Sequence, residues 1–314
     1  MKIDVAINAY KKPESLLYTL LSLKKSDSQQ LIDTVYINDD FSNDGSIEHY
    51  LNESFLKAMQ PIQIKLRVNK KNTGYSRKIV TPSIFLAQLN NFRLTKINYK
   101  QIRKHGFYRK DDIRYQWAIN YTNKNYLLII HDDILFKDDV CMLYLETIRK
   151  IDNCAIVGDL GQCWVCKEKE LADCTPAKVT QGIYPNKYFP LTTSDAGALP
   201  TFFERRCRIN EWCCMINIEL TRNIKHHYFG NYEEKGDVAA YWFSEVIRRG
   251  YAFSEPLPTQ KQRYQYYQHG WQGHTGHAVW LFQKVDANNH LYNRELIIQK
   301  LKADFGFDIL KTSS

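Results

Sequence analysis

LLIIHDDILF, residues 127–136, sets four aliphatic side chains in a row and stops them at His131, Asp132 and Asp133. A short apolar run of this kind reads as a strand. Its polar ending then falls at the edge of the sheet. Working outward, Ile3–Asn8 (IDVAIN), Ile32–Asn38 (IDTVYIN) and Ile62–Val68 (IQIKLRV) read as earlier strands and Ala155–Val157 as a later one. Between them lie predicted helices. The first opens at Pro13 and carries Leu16, Leu17, Leu20, Leu21 and Leu23 at helical spacing. Others are predicted over Ser46–Gln60 and Lys137–Lys150, with a long polar and mostly helical stretch over about 75–122. Strands alternating with helices mean βαβ units and a largely parallel sheet, an α/β fold.

In such sheets ligands bind beyond the carboxyl ends of the strands. Three polar groups converge there: Asn8-Ala9-Tyr10, Asp39-Asp40 and His131-Asp132-Asp133. Each acidic pair alone reads as a turn, since Asp and Asn bond nearby backbone. Two pairs after two strands of one sheet point instead to a hard divalent cation, Mg²⁺ or Mn²⁺, which takes oxygen ligands and keeps positions open for phosphate.

The 314 residues carry a formal net charge of +9 and a sequence pI near 9.0, with 44% hydrophobic and 25% charged residues. That balance favours anionic partners: nucleotide phosphates, nucleic acid or an anionic membrane surface. Basic and aromatic residues mix in KINYKQIRKHGFYRK (96–110) and RNIKHHYF (222–229), a pattern shared by RNA binders and by solvated helix faces. No stretch approaches the roughly 20 apolar residues of a membrane span. KIDVAINAY begins a strand at once, without the apolar core of a signal peptide, so a cytoplasmic protein is expected, with peripheral contact at the inner face of a membrane allowed by the charge.

Beyond residue 159 the periodicity fades until about 210, then resumes with a strand over Glu211–Ile218, a helix over Val238–Arg249 closed by Gly250, a loop from Pro256 to Trp280, and a last amphipathic helix over roughly 291–303. The eight cysteines all lie between Cys141 and Cys214. Without a secretory signal they argue against a disulfide framework. Cys163-x2-Cys166 with Cys174 and Cys207 can be drawn as a four-thiolate structural Zn²⁺ site, although no second C-x2-C completes it. The other reading is small buried apolar residues.

Three segments together resemble the GT-A glycosyltransferases of the family 2 type: VAINAYKKPESLLYTLLSL, YINDDFSNDGS and NKNYLLIIHDDILFKDDV. The resemblance runs over roughly 1–253. It implies a Rossmann-like, mostly parallel sheet flanked by helices, with an irregular Cys-rich insertion (159–210) and a C-terminal loop and helix (254–314). Residues 1–130 would form the nucleotide-binding half and 131–253 the metal and acceptor half. It implies that Ala9 and Tyr10 line the nucleobase, with Tyr10 stacking on it, that Asp40 hydrogen-bonds the base edge, and that Asp132 contacts the ribose or metal. Asp133 would ligate the cation, Mn²⁺ or Mg²⁺. Arg77 in NTGYSRKI would sit near the diphosphate. His131 stands where the first Asp of the family's DxD motif often falls, a departure from the pattern.

The resemblance also places the catalytic base at Asp237, in YFGNYEEKGDVAAYWFSEVIRRGYAF, with Glu233 and Glu234 as rivals. A helix cap is the other role open to Asp237. A C-terminal histidine, His269 first and then His274 or His277, would complete the metal shell, unless this is an aromatic loop facing solvent. Arg208, Glu211 and Trp212, with Arg205 and Arg206, would border the acceptor. The implied activity is inverting transfer from a nucleotide-diphosphate sugar, UDP-linked by preference, to a hydroxyl of a glycan or lipid-linked acceptor in polysaccharide synthesis. A nucleotidyltransferase acting on sugar phosphates is one alternative, but NAYKKP lacks the glycine-rich phosphate loop it needs. A zinc-containing RNA-binding protein is another; it leaves the acidic strand ends unexplained, because they would repel a phosphate backbone. Nucleic acid is therefore not an expected partner.

Overall fold

The computed structural model describes residues 1–73, 79–160, 209–224, 228–230, 238–239, 242–243, 245–246, 249–257, 259–270, 282–284 and 290–310. Its centre is a seven-stranded sheet of β1 (Ile3–Ala9), β2 (Ile32–Asp39), β3 (Gln63–Val68), β4 (Tyr126–Ile130), β6 (Cys154–Leu160), β7 (Ile209–Asn217) and β8 (Ala252–Ser254), in the order β3-β2-β1-β4-β7-β6-β8. The first four strands in that order are mutually parallel; β7 runs antiparallel to both β4 and β6, and β8 is parallel to β6. The α/β reading holds.

Both faces are covered, which is why LLII reads as a continuous apolar run. Leu128 and Ile130 face one core, formed with α1 (Pro13–Ser26), α7 (Val140–Lys150) and the C-terminal helix Arg294–Phe305. Leu127 and Ile129 face the other, formed with Ile119, Phe229, Trp242 and Phe243. The C-terminal helix is tied to α1: Tyr18 donates to Asp304 (2.6 Å), Tyr292 donates to Glu14 (2.6 Å), and the rings of Tyr18 and Phe305 meet edge to face at 5.2 Å. Close packing of backbone extends to β6, where a Cβ on Gly158 would lie 2.7 Å from Cys214 Cβ and 2.9 Å from the Cys213 carbonyl oxygen.

Several predicted elements have different bounds. The helix expected over 46–60 is two, α2 (Ser46–Tyr50) and α3 (Glu53–Met59). The break is at Asn52, whose side chain accepts from the backbone N–H groups of Ser54 (2.9 Å) and Phe55 (3.3 Å) and so starts a new helix. The helix expected from Lys137 begins at Val140, because Asp139 caps it by accepting from Met142 N (2.9 Å). The region read as a loop from Pro256 contains the helix Gln260–Tyr266 and the strand β9 (Tyr267–His269). β9 pairs antiparallel with a strand not anticipated, β5 (Ile134–Phe136). The polar stretch after β3 holds α4 (Pro82–Ala87), α5 (Phe92–His105) and α6 (Gln116–Tyr121). Among the described residues no helix is long and apolar enough to cross a membrane.

Candidate functional site

The carboxyl ends of β1, β2 and β4 lie side by side, as the strand order requires. Ala9 pairs with Asp39 across the ladder, and the Asp40 N–H donates to Ala9 O (2.7 Å). Just beyond, Lys11, Lys12 and Phe41 take left-handed backbone conformations (φ 58°, 56° and 68°). Such residues cost of order 1–3 kcal/mol each and cluster where function demands a fixed geometry. Tyr10 stands at this edge with 43% of its surface exposed and Lys11 Nζ over its ring, 5.4 Å from the centroid.

Asp40 is buried, and its two oxygens are fully engaged. Oδ1 accepts from Asn69 Nδ2 (3.0 Å) and Thr73 N (2.8 Å); Oδ2 accepts from Asn72 Nδ2 (3.2 Å) and Thr73 Oγ1 (2.8 Å). An ionised carboxylate offers about four lone-pair sites, so the segment 69–73 takes all of Asp40. Burial still pushes its carboxyl upward, against those same bonds. Its neighbour Asp39 differs. One oxygen accepts from Ser42 N (2.6 Å), while the other, also buried, has no hydrogen-bond partner among the described residues. Desolvation raises the Asp39 carboxyl as well. The sequence pair DD named both residues, but only the structure separates their duties.

At the end of β4, Asp133 is brought to His269 by the β5–β9 pairing. Ile134 stands opposite His269, and Gly270 N donates to Asp133 O (2.6 Å). His131 joins them. His131 Nδ1 lies 3.2 Å from His269 Nε2, which lies 3.3 Å from Asp133 Oδ1; His131 Nδ1 to Asp133 Oδ1 is 3.9 Å. A point equidistant from three atoms so spaced is about 2.0 Å from each, the roughly 2.0–2.2 Å at which imidazole and carboxylate bind divalent metals. Asp133 is buried, and Oδ1 has no hydrogen-bond partner among the described residues. The donor set therefore fits a cation, and His131, which the sequence pattern left without a role, belongs to it.

The other ring nitrogen of His131 is also buried without a hydrogen-bond partner among the described residues, and Glu211 Oε1 approaches it at 3.8 Å. A carboxylate behind a ligating histidine fixes its tautomer and ring orientation. Trp212, expected at the acceptor, is half-buried with its ring 4.9 Å from that of His269, and its Nε1 donates to Asp159 Oδ2 (3.0 Å). The same oxygen accepts from Tyr267 OH (2.6 Å) and faces Arg263 Nε at 3.7 Å. Asp159 thus clamps the residues flanking His269, a role no local sequence signal reveals because its partners come from β7, β9 and the helix before β9. Asp132 is pushed up to about 6, chiefly by burial and then by Asp133, with Lys12 and His131 acting in the opposite direction.

Arg77, Arg205, Arg206, Arg208, Glu233, Glu234, Asp237, His274 and His277 lie outside the described residues, as do Cys163, Cys166, Cys174 and Cys207. Of the remaining cysteines, Cys213 and Cys214 sit on β7 as expected, and all four are buried and in no disulfide.

No protein-family model matches the chain, and no curated protein matches its sequence. Solved structures do resemble it. A mannosyltransferase, PcManGT, from Pyrobaculum calidifontis in complex with GDP-Man and Mn²⁺ aligns with a TM-score of 0.47 and 10% identity, over 84% of this chain and 59% of that one. TarS residues 1–349 from S. aureus aligns with a TM-score of 0.41 and 12% identity, over 81% and 58%. The chain thus spans under two thirds of either, and at such similarity neither decides what it does.

Proposed function

We propose that the protein is a metal-dependent glycosyltransferase that takes its sugar from a nucleotide-diphosphate donor. The observation that carries this reading is the His131–Asp133–His269 donor triangle set at the strand end next to the acidic edge of β2. The sequence resemblance to GT-A transferases agrees with it.

Tyr10 and Ala9 border the nucleobase, and Asp132 reaches the ribose. Asp40 holds the 69–73 wall of the pocket, which leaves the spare oxygen of Asp39 as the acidic group at that strand end. Asp133, His269 and His131 hold the cation. A set of two imidazoles and one carboxylate favours Mn²⁺ over Mg²⁺, which prefers oxygen ligands and retained water. When bound, the cation supplies Lewis-acid stabilisation of the charge on the leaving diphosphate. Arg77 adds positive charge at the same group. Asp237, with Glu233 and Glu234 as rivals, takes the proton from an acceptor hydroxyl. That oxygen bonds the anomeric carbon as the bond to the diphosphate breaks on the opposite face, giving inversion. The acceptor is a hydroxyl of a glycan or lipid-linked glycan, bordered by Arg208, Glu211 and Trp212. The setting is cytoplasmic polysaccharide synthesis.

Thermal denaturation with UDP or GDP, each with and without Mn²⁺, tests this. A ligand at a hundred times its Kd stabilises by about 2.7 kcal/mol, so a metal-dependent rise in melting temperature is expected with one nucleotide. No rise with either, at millimolar nucleotide and metal, would sink the proposal. Asp237→Asn should abolish transfer and keep donor binding; retained turnover would move the base to Glu233 or Glu234. Elemental analysis of protein purified without added metal decides whether the Cys163 cluster holds zinc.

A further inference from the structure

The charge of the chain is not spread evenly. Residues 79–110 contain no Asp or Glu, yet seven Lys and Arg fall between Arg93 and Lys110, against a net charge of +9 for the whole chain. These residues form a helical hairpin, α4 and α5, with a tightly built tip. Backbone bonds run from Gln88 N to Phe85 O (3.2 Å) and from Asn91 N to Gln88 O (3.0 Å). Asn91 caps α5 by accepting from Leu94 N (3.1 Å), Thr95 Oγ1 donates to Gln88 O (2.9 Å), and the buried Asn98 donates to Gln88 Oε1 (2.8 Å).

That construction fixes three apolar side chains outward: Leu86, Leu89 and Phe92 are 65%, 46% and 83% exposed. Along α5, Phe92, Lys96, Tyr99, Lys100 and Arg103 are all exposed at spacings of three and four, so they share one face. The end of α5 and the chain just after it are braced against the end of β3. Lys71 Nζ donates to His105 O, and beyond α5 Tyr108 OH donates to Asn72 O (3.3 Å) and Asp112 Oδ1 pairs with Arg67 Nη2 (2.5 Å). Asn72 and Thr73 in turn grip Asp40, so the hairpin is mechanically continuous with the strand-end site.

Nucleic acid would answer the charge and stack on Phe92 and Tyr99, but it leaves the exposed Leu86 and Leu89 without a partner. An apolar tip beside an acid-free cationic face has the chemistry of a helix that lies in a bilayer interface. We infer that the α4–α5 hairpin docks the protein on an anionic lipid surface, with Leu86, Leu89 and Phe92 entering the headgroup boundary and Lys96, Lys100 and Arg103 facing lipid phosphates. The inference is independent of the transferase reading, since it uses none of the strand-end residues.

Flotation of the full chain with vesicles of phosphatidylcholine, alone or with about 30% phosphatidylglycerol, tests it. Binding is expected only to the anionic vesicles, and it should weaken at about 0.5 M NaCl, where charge is screened. Each cation removed near such a surface costs roughly five-fold, so Lys96→Ala with Lys100→Ala should weaken binding on the order of 25-fold. Phe92→Ser should weaken it about ten-fold. All these positions are exposed, so the variants should melt as the parent does. Absence of binding to anionic vesicles overturns the inference. So does a Phe92→Ser protein that binds vesicles normally while a single-stranded oligonucleotide binds equally tightly, which would indicate a polyanion partner. A self-associating parent made monomeric by Phe92→Ser, with no vesicle binding, would identify the face as a contact between copies.

Discussion

Asp40→Asn separates two duties that this residue could have, a contact to the nucleobase and a brace for the 69–73 segment. The substitution keeps an oxygen that can still accept from Asn69 Nδ2 and Thr73 N, but places an amide against Asn72 Nδ2 and Thr73 Oγ1. The threonine hydroxyl can rotate to accept; the Asn72 amide cannot, and faces another donor. Hydrogen bonds to a charged group contribute about 1.5–3 kcal/mol and neutral ones about 0.5–1.5 kcal/mol, so two weakened bonds and one lost bond give about 4–5 kcal/mol. Relief of the burial penalty that raises the Asp40 carboxyl offsets part of this, leaving about 3 kcal/mol. For a chain of this size that lowers the melting temperature by about 4–5 °C. Differential scanning calorimetry without ligand measures the shift, and calorimetric titration with UDP and Mn²⁺ measures donor binding. A variant that melts as the parent does but no longer binds nucleotide would refute the bracing argument and return Asp40 to the base edge.

Three further outcomes follow from the geometry. Gly158→Ala pushes a Cβ into Cys214 and the Cys213 carbonyl, and should destabilise by about 2–3 kcal/mol, seen as reduced melting temperature with unchanged nucleotide affinity; a neutral substitution would contradict the packing of β6 on β7. Burial drives the thiols of Cys141 and Cys213 well above their ordinary range and that of Cys154 up to about 11, so raising pH from about 7 to 9 leaves them protonated. Iodoacetamide followed by mass spectrometry should leave them unmodified in the native protein at both pH values and alkylate them only after denaturation. His131→Ala should reduce the stabilisation that Mn²⁺ alone gives by ten-fold or more in apparent affinity, and Glu211→Gln by a smaller factor; equal Mn²⁺ affinity in the parent and His131→Ala would remove His131 from the metal set.

What the sequence makes legible follows from how far apart the cooperating residues are. The parallel half of the sheet is local information: β1, β2, β3 and β4 each announce themselves by apolar runs, and Asp39, Asp40, Asp132 and Asp133 mark their ends. β5 and β9 are three residues each, too short for any periodicity, and exist because they pair with one another. The break at Asn52 was hidden because flanking apolar residues continue a helical spacing across it, and a single cap overrides that spacing. His131 departs from the acidic motif in sequence, and only the fold sets His269 against it. Asp40 and Asp39 carry the same chemistry in sequence; they differ only in what residues 69–73 have already claimed.

The β5–β9 pairing also orders events in time. Residues 131 and 269 are 138 positions apart along the chain, and ribosomes extend chains at about 5–20 residues per second. The strand-end acids of β2 and β4 are therefore made on the order of ten seconds or more before the histidine that joins them. During that interval a growing chain holds Asp133 without the histidine that the fold later sets against it. A protein clipped after β8 would lose His269 and, with it, the C-terminal residues Ile297 and Leu301 that pack against α1, so the histidine and part of the core arrive together.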